Sequence, residues 1–483
     1  CQVLEGVLIK VATSTSHVSF DLRMQGSCIL WSMSSWDTMP WLQLTEVFHP
    51  DYVKPLLMAS ASITVKDELI YGHLIHGRSL LLSNGEEWLR RRRLLTLHFD
   101  ILKSFVATFN TSTDTMHGNW RRRVAEGRAN MEMFDHVTLM TLDSLMKCVF
   151  SYKSNCQQLT SEYVSAIMEL SDLIIDRHLI LHHWDWLYWK TQQGKKFKKA
   201  LSVVHGFTSE VVQKCSDLIS QQTGAEIDFT TAPQRRKDFL DLILLSKDDD
   251  GLGLTDEEIQ AEANTFMFAG HDTTTSAICW TLYNLARHAY FQEKCRQEVM
   301  DLMQGRDRHE IENEDSLIRE SLRLHSPVQA VTRQYTQDMA LFVITRKFSP
   351  GAICLVSIYG THHNPTVWTN PNEFDPLRFD PSDTKKRPSH AFIPFSSVSS
   401  STLHFEVTTL GQGTMLAALL AAVTGQSGEL CFYFFNVLQF WLMSTALSVQ
   451  IVLHHCGFPH ARPAPPRIMF ILYSRWGRFY FLS

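Results

Sequence analysis

Apolar and polar positions along the chain predict a mainly α body with a small β region. From Leu42 to Lys103 short apolar runs alternate with turns, as in HPDYVKPLL and SITVKDELIYG, and SNGEEWLRRRRLL then opens a strongly basic helix near Asn84. Residues 131–220 carry apolar residues at helical spacing, MFDHVTLMTLDSLMKCVF among them, and residues 221–237 read as a polar connector. Thr255 with Glu258 forms a capping box, so a helix begins at LTDEEIQAEANTFMFAG and runs to about Arg287. At 1.5 Å per residue it extends roughly 50 Å, enough to cross the whole molecule. VTRQYTQDMALFVI and GAICLVSIYG have β character, PNEFDPLRFDPSDTKKRP is a Pro-rich meander, and the composition changes abruptly from Ser397 onward.

Composition narrows the class. A chain of 483 residues, 45% apolar and 20% charged, buries a large core. Its net charge of −5 offers no field that draws nucleic acid, so a nucleic-acid partner is not expected. Ten cysteines without a CxxC pair read as reduced thiols in an intracellular protein. The sequence opens on Cys1, and Lys10, Asp21 and Arg23 interrupt every apolar stretch of residues 1–40, so the true N-terminus is expected upstream.

Chemistry concentrates in the middle of the long helix, where Ala269-Gly270-His271-Asp272-Thr273-Thr274-Thr275 strings poor helix formers together. Gly270 can open a groove there, and a threonine hydroxyl bonding back to the preceding turn can widen the helix and leave a proton path. The alternative is a tolerated kink in a core helix. Glu320 and Arg323 in RESLRLH stand i, i+3, a weak signal alone, which gains weight from Arg378 in FDPLRFDP.

Taken in order, WxxxR at Trp88 and Arg92, AGHDTT, ExxR, the Pro-Arg-Phe meander and AFIPFS resemble a cytochrome P-450, in particular family four, subfamily F. The resemblance extends over roughly Trp41 to Ser396 and implies a mainly α cytochrome P-450 fold. It also implies a haem monooxygenase that hydroxylates long-chain fatty acids or eicosanoids, with dioxygen and electrons from an NADPH-dependent flavoprotein reductase at the endoplasmic reticulum membrane. By the same resemblance Trp88, Arg92 and Arg333 contact haem propionates, Asp272 and Thr273 relay protons, and Glu320, Arg323 and Arg378 form a buried triad behind the haem. Arg90, Arg91 and Arg93 are expected on a solvated face that in this family helps dock an acidic reductase.

The sequence departs from the family where the iron ligand belongs. A haem-thiolate enzyme needs a cysteine whose electron donation favours O–O cleavage, and the family places it in FxxGxRxCxG. This chain reads Phe395-Ser396-Ser397-Val398-Ser399-Ser400-Ser401-Thr402. Cys431, Cys456, His454 and His455 lack the ligand's surroundings, so no metal ligand is assigned. The chain is also shorter than the family at LLTLHFD and NEDSLIRES, and Ala269 replaces the glutamate that bonds haem covalently in many relatives, so no covalent link is expected. Three regions follow: an atypical segment 1–40, a cytochrome P-450-like domain 41–396, and an unrelated extension 397–483 in place of the cysteine loop. Within the extension, 431–453 is 23 residues without a charge, long enough to span a bilayer, and four arginines follow it. An out-of-frame or intronic translation is the other reading of that tail. For the whole chain the alternative to an enzyme is a catalytically inactive isoform or mis-assembled gene product.

Overall fold

The computed structural model describes most of residues 43–396, together with 30–34 and 480–482; within that range 224–242 and 304–315 are the longest stretches outside the described residues. In chain order the elements are β1 (Leu30–Ser34), β2 (Gln43–Val47), α1 (Pro50–Leu57), β3 (Thr64–Val65), α2 (Gly85–Thr96), α3 (Leu102–Ala125), α4 (Met133–Val149), α5 (Glu162–Leu179), α6 (Asp185–Tyr188) and α7 (Gln192–Thr223). There follow α8 (Asp256–Arg287), α9 (Ala289–Met303), α10 (Ser316–Leu324), β4 (Val328–Tyr335), β5 (Met339–Ala340), β6 (Lys347–Phe348), β7 (Ile353–Ser357), α11 (Ile358–His362), α12 (Pro381–Thr384) and β8 (Tyr480–Leu482). The architecture is mainly α with a small mixed sheet, as the polarity pattern predicts. The proposed span 431–453 lies outside the described residues, and no described helix is long and apolar enough to cross a membrane.

The main sheet runs β1-β2-β7-β4-β3, with β8 also pairing β4. The antiparallel register Val65↔Gln334 between β3 and β4 sets Lys66, the residue after β3, beside Arg333 of β4. The segment HPDYVKPLL is a helix rather than a turn: the His49 ring accepts from the Asp51 amide, and Pro50 stands in the first turn, where a missing N–H costs nothing.

The helix α8 begins at the capping box, with Thr255 accepting from the Glu258 amide and Glu258 from the Thr255 amide, and remains helical for 32 residues. It joins two apolar clusters. Met267 and Phe268 belong to one, with α5, α7 and the sheet; Ala277 and Ile278 belong to the other, with α3, α4 and α10. The stretch 269–276 is the seam between them.

Candidate functional site

Three groups of polar side chains bear on the site that the sequence predicts. The first is on α8 itself. Phe266, Ala269, Gly270, Thr273 and Thr274 keep partial exposure while their neighbours are buried, and their i, i+3, i+4, i+7, i+8 spacing makes one open stripe. The helix does not break there: Thr273 Oγ1 donates to Ala269 O at 2.7 Å, Thr274 to Gly270 O at 2.9 Å and Thr275 to His271 O at 2.8 Å. A hydroxyl bonded this way still presents its oxygen as an acceptor along the stripe. The space Gly270 leaves is shared with α4, since a Cβ there would meet Leu145 Cδ1 at 2.8 Å. Asp272, one residue before Thr273, is buried. Its charge adds to burial in pushing the Tyr163 phenol well above its ordinary range, and the Tyr163 ring lies 6.2 Å from that of His271.

The second group is a cationic corner. Trp88 on α2 has Lys66 Nζ over its ring at 5.3 Å and the Arg92 guanidinium at 5.1 Å. Lys66 Nζ donates to Leu80 O at 2.9 Å, and Arg333 Nη1 to Thr332 O at 2.7 Å. Burial, and then repulsion from Arg333, push the Lys66 ammonium down to about 7. Two cations forced together in this way fit an anionic group set between them. The corner thus fits the carboxylates of a porphyrin.

The rest of α2 corrects the sequence expectation. Arg91, placed on a solvated face, is 1% exposed and pairs with Glu262 at 3.0 Å, Glu258 at 2.8 Å and Glu87 at 3.0 Å. Arg90 turns the same way, to Asp248 at 2.7 Å and Gly253 O at 2.9 Å, which leaves Arg93 as the exposed one of the three. The carboxylates at the start of α8 draw Arg90 and Arg91 inward, and a basic run in sequence does not reveal partners more than 150 residues away.

The third group is on α10. Glu320 and Arg323 are both 0% exposed and form a bidentate pair, Nε to Oε2 at 2.7 Å and Nη2 to Oε1 at 2.8 Å. Arg323 also donates to His362 O, Pro371 O and Glu373 O, and Glu320 Oε1 accepts from the Asp375 amide. Arg378 Nε stands 3.5 Å from Glu320 Oε1, while its Nη1 and Nη2 donate to the carbonyls of Thr369 and Asn370. The Pro-rich meander is therefore bound to α10 through its backbone carbonyls. His362 Nε2 accepts from the Ile393 amide at 2.8 Å, which fixes the run ending at Phe395-Ser396.

Lys66 and Glu262 were not legible as site residues. Lys66 follows a two-residue strand, and its place depends on pairing with a strand about 270 residues away. Glu262 had one signal, a carboxylate inside an apolar stretch of α8. The described cysteines are Cys148, Cys156, Cys279, Cys295 and Cys354; burial pushes the Cys354 thiol up to about 12, which opposes the thiolate form.

A mainly α body with one mixed sheet, crossed by a long helix that carries an acid–alcohol pair, defines the class. The haem domain of cytochrome P450DA, a solved structure 20% identical, has the same fold, with a TM-score of 0.65 over 81% of this chain and 82% of that one. Residues 38–397 match the family profile described as Cytochrome P-450, and the chain belongs to that family of haem-iron monooxygenases. It is 50% identical over 372 residues to the "Ultra-long-chain fatty acid omega-hydroxylase" of Homo sapiens, covering 74% of this chain and 70% of that one. It is 48% identical over 371 residues to "Leukotriene-B4 omega-hydroxylase 3" of Mus musculus, covering 74% of this chain and 71% of that one.

Proposed function

We propose that the body of this chain, residues 41–396, is built as a monooxygenase for long-chain fatty acids or eicosanoids and that the chain as it stands lacks the thiolate that reaction needs. The relatives named above carry the substrate reading. When bound, haem supplies dioxygen activation and the oxidation of an unactivated C–H bond. Lys66, Trp88, Arg92 and Arg333 hold the acidic edge of the porphyrin. Thr273 presents its hydroxyl oxygen along the open stripe, and Asp272, the adjoining acid, supplies and recovers protons there. Glu320, Arg323 and Arg378 position the meander that delivers the chain to Phe395, the entry to the ligand loop. Electrons come from an NADPH-dependent flavoprotein reductase at the endoplasmic reticulum membrane, where a lipid substrate partitions.

The inactive reading rests on one observation, that the chain continues from Phe395 through Ser397 and Ser399–Ser401 with no cysteine before Cys431. None of the described cysteines adjoins the meander in sequence. Both readings are tested together by placing a Gly-x-Arg-x-Cys-x-Gly loop after Phe395-Ser396-Ser397 and assaying with reductase, NADPH and a long-chain fatty acid. Hydroxylated product from the restored chain and none from the unaltered chain is expected. Product from the unaltered chain, or none from a haem-loaded restored chain with any fatty acid or eicosanoid, contradicts the proposal.

A further inference from the structure

Glu262 is 0% exposed and belongs to none of the three groups above, yet it touches the elements that form the cationic corner. Its Oε1 accepts from Arg91 Nη1 on α2 at 3.0 Å and from the Leu80 amide at 2.8 Å. Leu80 uses its other face for the corner: its carbonyl accepts from Lys66 Nζ. One peptide residue thus links Glu262 to the Lys66 ammonium, and one guanidinium links it to the helix that carries Trp88 and Arg92. A carboxylate in an apolar cluster is costly to bury, and it is retained only with partners this well placed. Arg91 already has Glu87 and Glu258 as counter-charges, so charge balance alone does not require a third acid. What Glu262 adds over Glu258, which is also on α8, is the bond to the Leu80 amide, made about one helical turn before the open stripe begins at Phe266.

We infer that Glu262 is a positioning residue that sets the distance between the cationic corner and α8, holding Lys66 through the Leu80 peptide and Trp88 and Arg92 through Arg91. This rests on the reading that the corner takes porphyrin carboxylates. It predicts that loss of Glu262 weakens recognition of those carboxylates specifically, because the cations stay in the protein and lose their alignment.

The test uses the full chain and two metal-free probes, protoporphyrin IX and its dimethyl ester, titrated by fluorescence, so that no axial ligand enters the readout. Wild type is expected to prefer the free acid. Glu262→Ala is expected to bind the free acid about tenfold more weakly while holding the diester to within about twofold, and Glu262→Gln, which keeps an acceptor oxygen, to fall between them. In the same Ala variant the Leu80 amide is expected to exchange with solvent at least about tenfold faster. A folded variant that keeps the wild-type preference for the free acid and the protection of Leu80 overturns the inference. Should Glu262→Ala not fold, an undiminished preference in Glu262→Gln overturns it equally. A wild-type chain indifferent to esterification overturns the carboxylate reading of the corner, and the role of Glu262 with it.

Discussion

Burial pushes Lys66 of the corner and Glu262 beside it toward neutrality from opposite sides. Burial raises the Glu262 carboxyl from 4.5 to about 7, against the opposing influence of Arg91, the Leu80 amide and Lys66. The folded chain thus holds a proton that the unfolded chain has already lost, so this contribution to stability is present below about 4.5 and lost as pH rises to about 7. Lys66, pushed down to about 7, contributes stability that is present above its ordinary value and lost as pH falls through about 7. Glutamine has no proton to lose. The stability of Glu262→Gln relative to wild type, read from urea midpoints, is therefore expected to rise by up to about 3 kcal/mol between pH 4.5 and 7 and to level off above; a difference flat in pH contradicts the burial argument. For the chemistry, Asp272→Asn in a loop-restored chain is expected to lower turnover on the order of 10²-fold with haem content unchanged. Unaltered turnover removes Asp272 from the proton path. The string Ala269–Thr275 stood out because poor helix formers in mid-helix need a reason, and within it Asp272 and Thr273 were singled out by the resemblance to the family, whereas Lys66 and the inward turn of Arg91 depend on contacts that no local pattern contains.

Elements were legible in proportion to how local their signals are. The start of α8 is given by Thr255 and Glu258 alone; Thr255→Ala is expected to cost about 1 kcal/mol, measured as a fall in the urea midpoint. The helix α1 was missed because Pro50 and Pro55 look like turn residues, although a proline in the first turn is compatible with a helix. ExxR shows the opposite limit. Its spacing is ordinary on any helix, and its meaning comes from the carbonyls of His362, Pro371 and Glu373 that fold back onto Arg323. Arg323→Met leaves Glu320 buried without its bidentate partner and frees the meander, a loss of about 3–5 kcal/mol. A thermal unfolding midpoint within a few degrees of wild type would contradict that assignment.

Across the whole molecule, the mainly α body and the family were legible from the order of motifs, since the long helix, ExxR and the meander are each weak alone and specific in succession. Their meeting place was not legible. The long helix α8 contributes to both apolar clusters, and the corner depends on α2 and the β3–β4 pairing, which join residues far apart in sequence. On the reading proposed above these parts frame a haem, and the residues after Phe395 do not match the family's ligand motif. The measurement that tests this most directly is the reduced, carbon-monoxide difference spectrum of the full chain loaded with haem, beside the loop-restored chain. The account predicts the red-shifted Soret band of thiolate ligation in the restored chain and its absence in the unaltered one; that band in the unaltered chain would show that another cysteine reaches the iron and would contradict the account.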